Sequence, residues 1–544
     1  MRVIYLSCLL FVMVLHADVA SDVINQHIKD EQQKKIFTEQ KNDSNIKENE
    51  TYDTKRLEIE KDTVEENCVE IKKININNTT VFEEKDFEDL IEPYLNSCNG
   101  FKNLSNLRDK ISNRYIDKGY VTSRAYFKAQ DLSDGIVDIE ILEGKIEKIG
   151  GENLNPSNLY ITYENEVLNL RDIEVAVQQA QRLQSQKVNL QLIPGSKVGY
   201  TIVKIIGENN SPAYYGNIGV NNFGTKKTGK YLISSSLNYE NPFDINDIVS
   251  LNINGTDNSN KDNNNKLGTD LSYSFPIGRA LLNFDYSYSK YKQLNKDEFN
   301  QNFQSDGITN SFSFGVDYKL YHSQRHTIDF ISSIEKKSNK NSLNEVKLEL
   351  QSYDTSILGL GVKYSYLGDG YDYYSKFVIN KGLSNSKESF AKQETDFTKY
   401  VLDLGYNKYF DTENNLKFAS TLRSQYSTNY LYGTEEISMG GVYSVRGFNN
   451  SGLNGNTGLY NRNELSLQYA VDTIKISPYI GLDFGYVKED THNVFGTING
   501  GAIGTKFSWA NTNLEIFFNT PLKDTSFTKE DSENFVGISL IYNF

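Results

Sequence analysis

The chain has 544 residues, more than one ordinary domain holds, and its length alone suggests about three or four folded units. A formal net charge of −14 argues against nucleic acid as a partner, since no basic stripe offers counterion release from a phosphate backbone. Beyond the N-terminal apolar run nothing approaches the roughly 20 apolar residues of a membrane-spanning helix, and mean hydropathy is −0.54. A β-barrel escapes that test because only alternate residues face lipid; 37 Tyr and 29 Phe suit its aromatic girdles, although there is a single Trp.

Met1-Arg2 followed by the apolar run Val3 to Leu15 resembles a secretory signal peptide, too short to cross a bilayer as a helix. Residues 1–20 are therefore expected to be removed, with cleavage after Ala17 or Ala20. Cys8 leaves with this segment, and Cys68 and Cys98 remain in an oxidising compartment. An even count there favours a disulfide between them; two buried thiols are the alternative.

Residues 21–67 are rich in Lys, Glu, Asn and Gln, the composition of a helix plus linker or of disorder. Residues 22–40 read as a weak helix or as disorder, and the apolar stripe of Val23, Ile24, Ile28, Ile36 and Phe37 is too thin to demand an apolar partner. Such a helix suits a polar cavity as well as water.

From Cys68 the pattern tightens into a strand through Ile71, Ile74 and Ile76 and a helix with Phe87, Leu90, Ile91 and Tyr94. A second helix, with Leu104, Leu107, Ile111 and Tyr115, ends at Gly119, a candidate C-cap, and strands follow over 120–129 and 136–142. The order recurs: a strand at 146–149, a poorly defined helix near 157–165, a helix with Ile173, Val177, Ala180 and Leu183, and two strands around the Pro194-Gly195 turn. Two small α+β modules thus stand in tandem, at 68–149 and 150–208.

From 209 to 544 the sequence alternates with period two. Thr269, Leu271, Tyr273 and Phe275 oppose Asp270, Ser272 and Ser274; Leu358, Leu360, Val362 and Tyr364 oppose Gly359, Gly361, Lys363 and Ser365. Sixteen strands start near 213, 231, 247, 268, 279, 309, 325, 353, 371, 396, 415, 459, 475, 495, 511 and 535. Short links alternate with long polar ones such as 290–307, 382–394 and 523–533, as in bacterial barrels whose turns face the periplasm and whose loops face outward. The expected fold is a 16-stranded antiparallel transmembrane β-barrel behind two α+β modules, ending on the lipid-facing Val536, Ile538, Leu540, Tyr542 and Phe544, the last a C-terminal signal for barrel assembly. A soluble sandwich or propeller would need polar outer faces.

The longest loop, 428–458, is glycine-rich and contains Val445-Arg446-Gly447-Phe448. In the next two strands alternation points Arg462, Glu464, Ser466 and Gln468 into the lumen, and likewise Asp483 between Leu482 and Phe484. Together with Gly481-Leu482-Asp483-Phe484-Gly485 and Arg462-Asn463-Glu464-Leu465, these stretches resemble the motifs of the two-partner secretion transporters, outer-membrane pores that export haemolysin-like and adhesin-like proteins. The resemblance spans nearly the whole mature chain. It implies that 68–149 and 150–208 are paired POTRA domains, carrying Cys68, Cys98, 118–124 and Glu143-Gly144, then 168–172 and 192–195. It further implies that residues 22–40 hold the place of a pore-plugging helix, and that Arg446 pairs with Asp483 to pin the loop inside the barrel. In a wet lumen such a pair would contribute about 1 to 3 kcal/mol. The expected partners are a cognate secreted exoprotein, captured unfolded by the POTRA modules, the barrel assembly machinery and outer-membrane lipid.

No catalytic constellation, cofactor motif or metal site is expected. His322 and His326 are four apart but flank a turn beside a strand, where that spacing makes no common face, so they read as solvated turn residues. Gly224 to Lys230 has the glycines and lysine of a phosphate loop, but Tyr231 stands where Ser or Thr is needed and a strand follows instead of a helix. A barrel-assembly insertase of the same superfamily, and a plain porin or adhesin, are the competing readings.

Overall fold

The computed structural model describes residues 33–41 and 55–544, apart from 161–163, 225–228, 257–264, 297–301, 324, 384–393, 411–414, 450–451, 490–493 and 525–532. The signal segment, residues 22–32 of the weak helix, and most of the 382–394 and 523–533 links lie outside the described residues.

The two modules share one topology. In the first, Lys73–Asn77 runs parallel to Ile136–Leu142, which pairs antiparallel with Arg124–Tyr126. In the second, Lys145–Glu152 runs parallel to Tyr200–Asn209, which pairs antiparallel with Gln186–Pro194. Because Lys145–Glu152 belongs to the second sheet, the module boundary falls at Glu143-Gly144, ahead of the expected 149/150. The first core packs Phe87, Leu107, Ile111, Tyr115, Val137 and Ile139; the second packs Ile146, Ile173, Val177, Val188, Val203 and Ile205.

The helix Phe101–Asp117 stops where expected. Gly119 takes φ +95°, and the Gly119 and Tyr120 N–H groups donate to the Ile116 and Tyr115 carbonyls at 2.9 Å. The Gly119 carbonyl then accepts from Leu170 N at 2.8 Å, at the start of the helix Leu170–Ala180, so one glycine caps a helix and joins the modules. Two expectations are corrected here. Of the proposed 120–129 strand only Arg124–Tyr126 pairs, since that pairing ends at Tyr126↔Glu140. Near 157–165 the described residues form turns, not a helix; Asn155 Oδ1 accepts from Ser157 N at 3.1 Å and starts a turn instead.

Among the described residues sixteen antiparallel strands close a barrel, from Tyr214–Asn221 to Phe535–Asn543. Closure pairs Ser539 with Asn221 through Asn543 with Asn217, and ends with reciprocal backbone bonds between Phe544 and Gly216 at 3.0 Å. Leu271, Tyr286, Leu358, Val362, Val536 and Tyr542 face outward and stay exposed, a surface that water would not favour and hydrocarbon would. The expected 290–307 loop is largely strand: Ala280–Lys296 and Asn302–His322 pair in register from Ala280↔Tyr318 to Lys296↔Asn302, because backbone pairing continues where both faces are polar. His322 is another correction. It ends a strand and is 3% exposed, with Nδ1 3.2 Å from Thr327 Oγ1, while His326 Nδ1 lies 2.8 Å from Tyr364 OH.

The second module rests on one end of the barrel. Asp172 pairs with Arg279 at 3.0 Å, Glu240 accepts from the Gln184 and Ser185 N–H groups at 2.7 and 2.8 Å, and Gly278 N donates to the Asn158 carbonyl at 2.7 Å. The short turns 241–247 and 278–279 therefore lie on the module side, and the loop 428–458 enters from the other end.

Candidate functional site

The loop between Leu416–Ser427 and Thr457–Leu467 folds inward and forms a hairpin of its own, Ile437–Met439 against Leu453–Gly455. Its apolar residues Ile437, Met439, Val445, Phe448 and Leu453 bury against Tyr460, Val487 and Ile498 of the wall. A strip of glycines on the wall makes the room. Gly481 and Gly485 share a face with Asp483, and Gly500 lies opposite Asp483 on the next strand. A Cβ on Gly481 would lie 2.0 Å from Arg446 Nη2, and one on Gly500 would lie 1.6 Å from the Arg446 carbonyl oxygen. Gly447, at φ +98°, lets the chain turn away directly after Arg446.

Arg446 is 1% exposed and meets Asp483 through both carboxylate oxygens, Nε to Oδ2 at 2.7 Å and Nη2 to Oδ1 at 2.8 Å; its backbone N–H adds a bond to Oδ2 at 3.0 Å. Nη2 also donates to the Asn463 carbonyl at 2.8 Å, and Nη1 approaches Glu464 Oε2 at 3.4 Å. Glu464 receives Lys506 Nζ at 2.6 Å, and Arg462 Nη1 donates to the Val442 carbonyl at 2.7 Å. The structure thus joins Arg446, Asp483, Glu464 and Arg462 around one point, with Val445 and Phe448 packed beside it. The pair is not solvated as a wet lumen would have it. The glycine strip lets the loop cover it, so removing one partner leaves a buried charge and costs about 3–5 kcal/mol.

A second anchor carries no motif. Glu435, 3% exposed, accepts Lys337 Nζ at 2.7 Å and Lys399 Nζ at 2.8 Å, and its carbonyl accepts Gln425 Nε2 at 2.9 Å. Beside it Tyr432 stacks on Tyr353 at 3.7 Å, and Tyr353 OH lies 2.7 Å from Thr434 Oγ1. The loop is therefore held on two sides of the barrel. Its sequence signal was weak, since Glu435 sits in an ordinary polar run and both lysines appear only as single inward positions of strands.

Residues 33–41 form a helix inside the barrel, held by its polar side. Gln33 Nε2 donates to Ser438 Oγ at 2.8 Å and its Oε1 accepts from Ser444 Oγ at 3.1 Å. Phe37 lies 5.6 Å from the Tyr443 ring and 5.1 Å from the Arg462 guanidinium, and Gln40 Nε2 donates at 2.9 Å to Asp403, which Arg423 also grips. Residues 33, 37 and 40 share one helical face, and through it two amides and one aromatic ring meet the loop and the wall. Cys68, directly before the strand Val69–Ile71, is disulfide-bonded to Cys98 on its partner strand Ser97–Asn99. Among the described residues no group of His, Cys, Asp and Glu could hold a metal ion.

Residues 199–507 match the family described as haemolysin secretion/activation protein ShlB/FhaC/HecB. Residues 69–144 match a ShlB-type POTRA domain and 138–194 a further POTRA domain. Outer membrane transporter CdiB of Dickeya dadantii (strain 3937) is 30% identical over 413 residues, which cover 74% of this chain and 73% of that protein. Hemolysin transporter protein HpmB of Proteus mirabilis is 28% identical over 480 residues, covering 84% and 82%. In fold the chain is similar to CdiB from Escherichia coli, with TM-score 0.86 at 23% identity and coverage of 96% and 99%. With one family spanning the barrel and its POTRA domains ahead of it, this chain belongs to the ShlB/FhaC/HecB family of haemolysin secretion/activation proteins.

Proposed function

We propose that this chain is an outer-membrane translocator that passes a large exported partner protein of haemolysin or adhesin type from periplasm to cell surface. The tandem POTRA domains stand on the periplasmic side and take up the client unfolded; the barrel conducts it. The observation that carries this reading is the loop bearing Arg446, folded into the barrel and clamped to Asp483, with the helix of residues 33–41 docked on the same loop. A loop clamped by buried ion pairs is suited to stay. The helix, a separate segment of the chain docked on that loop through Gln33 and Phe37, fits a plug that vacates beside a fixed constriction. Folding of the client outside the cell supplies the driving force, without ATP. The outward apolar face contacts outer-membrane lipid, and the C-terminal strand ending at Phe544 is the segment the barrel assembly machinery engages.

The test compares proteins released by cells carrying the intact chain, its deletion, and Arg446→Ala at matched barrel abundance. Loss of one large protein in the deletion, and its decrease in Arg446→Ala, with other outer-membrane proteins unchanged, supports the reading. Unchanged release with many barrels depleted would put an insertase in its place, and no change in either would leave a porin or adhesin.

A further inference from the structure

Residues 55–65 lie extended along the helix Phe101–Asp117, held both by their peptide groups and by the side chains of Arg56, Glu60, Asp62 and Glu65. Asn103 and Asn113 each read one residue of this strap through both peptide groups. Thr63 N donates to Asn103 Oδ1 at 3.0 Å while Asn103 Nδ2 donates to the Thr63 carbonyl at 2.9 Å. Leu57 N donates to Asn113 Oδ1 at 2.8 Å and Asn113 Nδ2 returns to the Leu57 carbonyl at 3.0 Å. Between them Asn106 Nδ2 donates to the Glu60 carbonyl at 3.0 Å, and Lys110 pairs with Asp62 at 3.0 Å. Positions 103, 106, 110 and 113 make one stripe of the helix.

Three features mark this stripe as a peptide site. All three asparagines are buried beneath the strap, each 6% exposed, at helical positions where Asn is a poor choice, and their amides are spent on the peptide groups that lie there. Two of the strap's three apolar side chains point away: Val64 is fully exposed and Ile59 is 41% exposed, while Leu57 is half-buried. The five bonds made by its peptide groups at Leu57, Glu60 and Thr63 are ones any extended chain can make. The charged contacts add a preference for acidic residues at alternate positions, with Lys102 on Glu60 at 2.7 Å and Lys110 on Asp62. Burial pushes the Asp62 carboxyl up, but hydrogen bonds from Asn106, Lys110 and Tyr94 outweigh it and hold it below the ordinary value.

We infer that the asparagine stripe of the first module is a backbone-reading groove for an extended segment of the exported client, which takes the place of the strap. This rests on the export reading above. A groove that reads peptide groups, with acidic side chains as an added preference, accepts many sequences in extended form and rejects folded ones, and the strap covers it until a client competes.

The experiment uses the full chain and a labelled synthetic peptide copying residues 55–66. Leu57→Pro with Thr63→Pro removes the two strap N–H donors and leaves the module untouched. This variant is expected to bind the peptide about tenfold more tightly than the unaltered chain, whose tethered strap competes. A peptide shuffled at every position except Glu60, Asp62 and Glu65, free of proline, should bind comparably, and one with proline at the two donor positions should not. Failure of the freed groove to bind, or binding only of the native order, overturns the inference. Export provides the second arm: Asn103→Ala with Asn113→Ala should lower release of the client at matched barrel abundance. Normal release in that variant, where the deletion abolishes it, rejects the groove alone; release unaffected by the deletion rejects the export reading and leaves the peptide result standing.

Discussion

Arg446 and Asp483 meet as two parallel hydrogen bonds, Nε to Oδ2 at 2.7 Å and Nη2 to Oδ1 at 2.8 Å, with the Arg446 backbone N–H as a third donor. A lysine cannot reproduce this fork, because its ammonium is a point charge on a flexible stem. Arg446→Lys is therefore expected to lower export about tenfold while leaving barrel abundance unchanged, and Asp483→Asn to cost at least as much, since it strands a buried guanidinium. The double alanine variant should be no worse than either single one. Additive losses in export would show that the two residues act separately.

Gly500→Ala tests the same docking without touching a charge. The new methyl would sit 1.6 Å from the Arg446 carbonyl oxygen, and because that atom is backbone, no rotamer change relieves the clash. The loop should lift from the wall and become open to protease near Gly447, while the barrel keeps its resistance to denaturation in detergent. Gly501→Ala, where the nearest atom is a Leu522 methyl at 3.4 Å, is the control. Equal behaviour of the two variants would mean that the glycine strip does not position the loop.

Glu435→Gln removes the charge between Lys337 and Lys399, leaving the buried Lys399 ammonium without its carboxylate and Lys337 with Glu335 at 3.7 Å. An uncompensated buried charge costs about 3–5 kcal/mol, enough to release this side of the loop. New cleavage should appear between Tyr430 and Glu436 but not near Arg446, which keeps its own partner. Cleavage at both places would show that the two anchors form one cooperative unit.

The lumenal helix docks on both the loop and the wall. Gln33→Ala with Gln40→Ala deletes the hydrogen bonds to Ser438 and Ser444, each worth about 0.5–1.5 kcal/mol, and the one to the Asp403 carboxylate, worth about 1.5–3 kcal/mol. Ion conductance of the variant in planar bilayers should shift towards the open level, and Phe37→Ala, which removes the ring between Tyr443 and Arg462, should add to it. Conductance unchanged from the parent chain would mean that the helix does not obstruct the pore.

Period-two alternation made the barrel readable because one face meets hydrocarbon, and Leu358, Leu360 and Val362 are exposed as it requires. Alternation also placed Asp483 inward before any partner was known. What it could not convey was the inward loop. The burial of Arg446 depends on Gly481 and Gly500, and a glycine on a wet face looks the same in sequence as one that makes room for an arginine. Glu435 was missed because its partners come from strands 98 and 36 residues away. The strap was read only as linker or disorder, since its side chains carry no apolar period and its peptide groups are part of what binds. The extra strand beyond the membrane, as in Ala280–Lys296, escaped for a related reason: hydrogen bonds of the ladder leave no trace in side-chain hydropathy.

The disulfide between Cys68 and Cys98 closes a loop with a sequence separation of 30 and ties Val69–Ile71 to Ser97–Asn99. Loop closure of this length removes about 3.5 kcal/mol of unfolded-chain entropy, so its loss should be felt by the first module and not by the barrel. The enclosed segment contributes Ile71, Phe87 and Tyr94 to the core, and the second cysteine lies just before Gly100, the N-cap of the helix whose Lys102 and Asn103 N–H groups both donate to Glu65 at 3.0 Å. Loosening this corner therefore also loosens the foot of the strap. Cys68→Ser with Cys98→Ser, or mild reductant on the parent chain, should open residues 68–98 to trypsin and speed amide exchange over 57–65, with exchange across the barrel strands unchanged. Should the first module stay protected after reduction, its apolar core alone suffices, and the disulfide serves only to fix the register of two short strands.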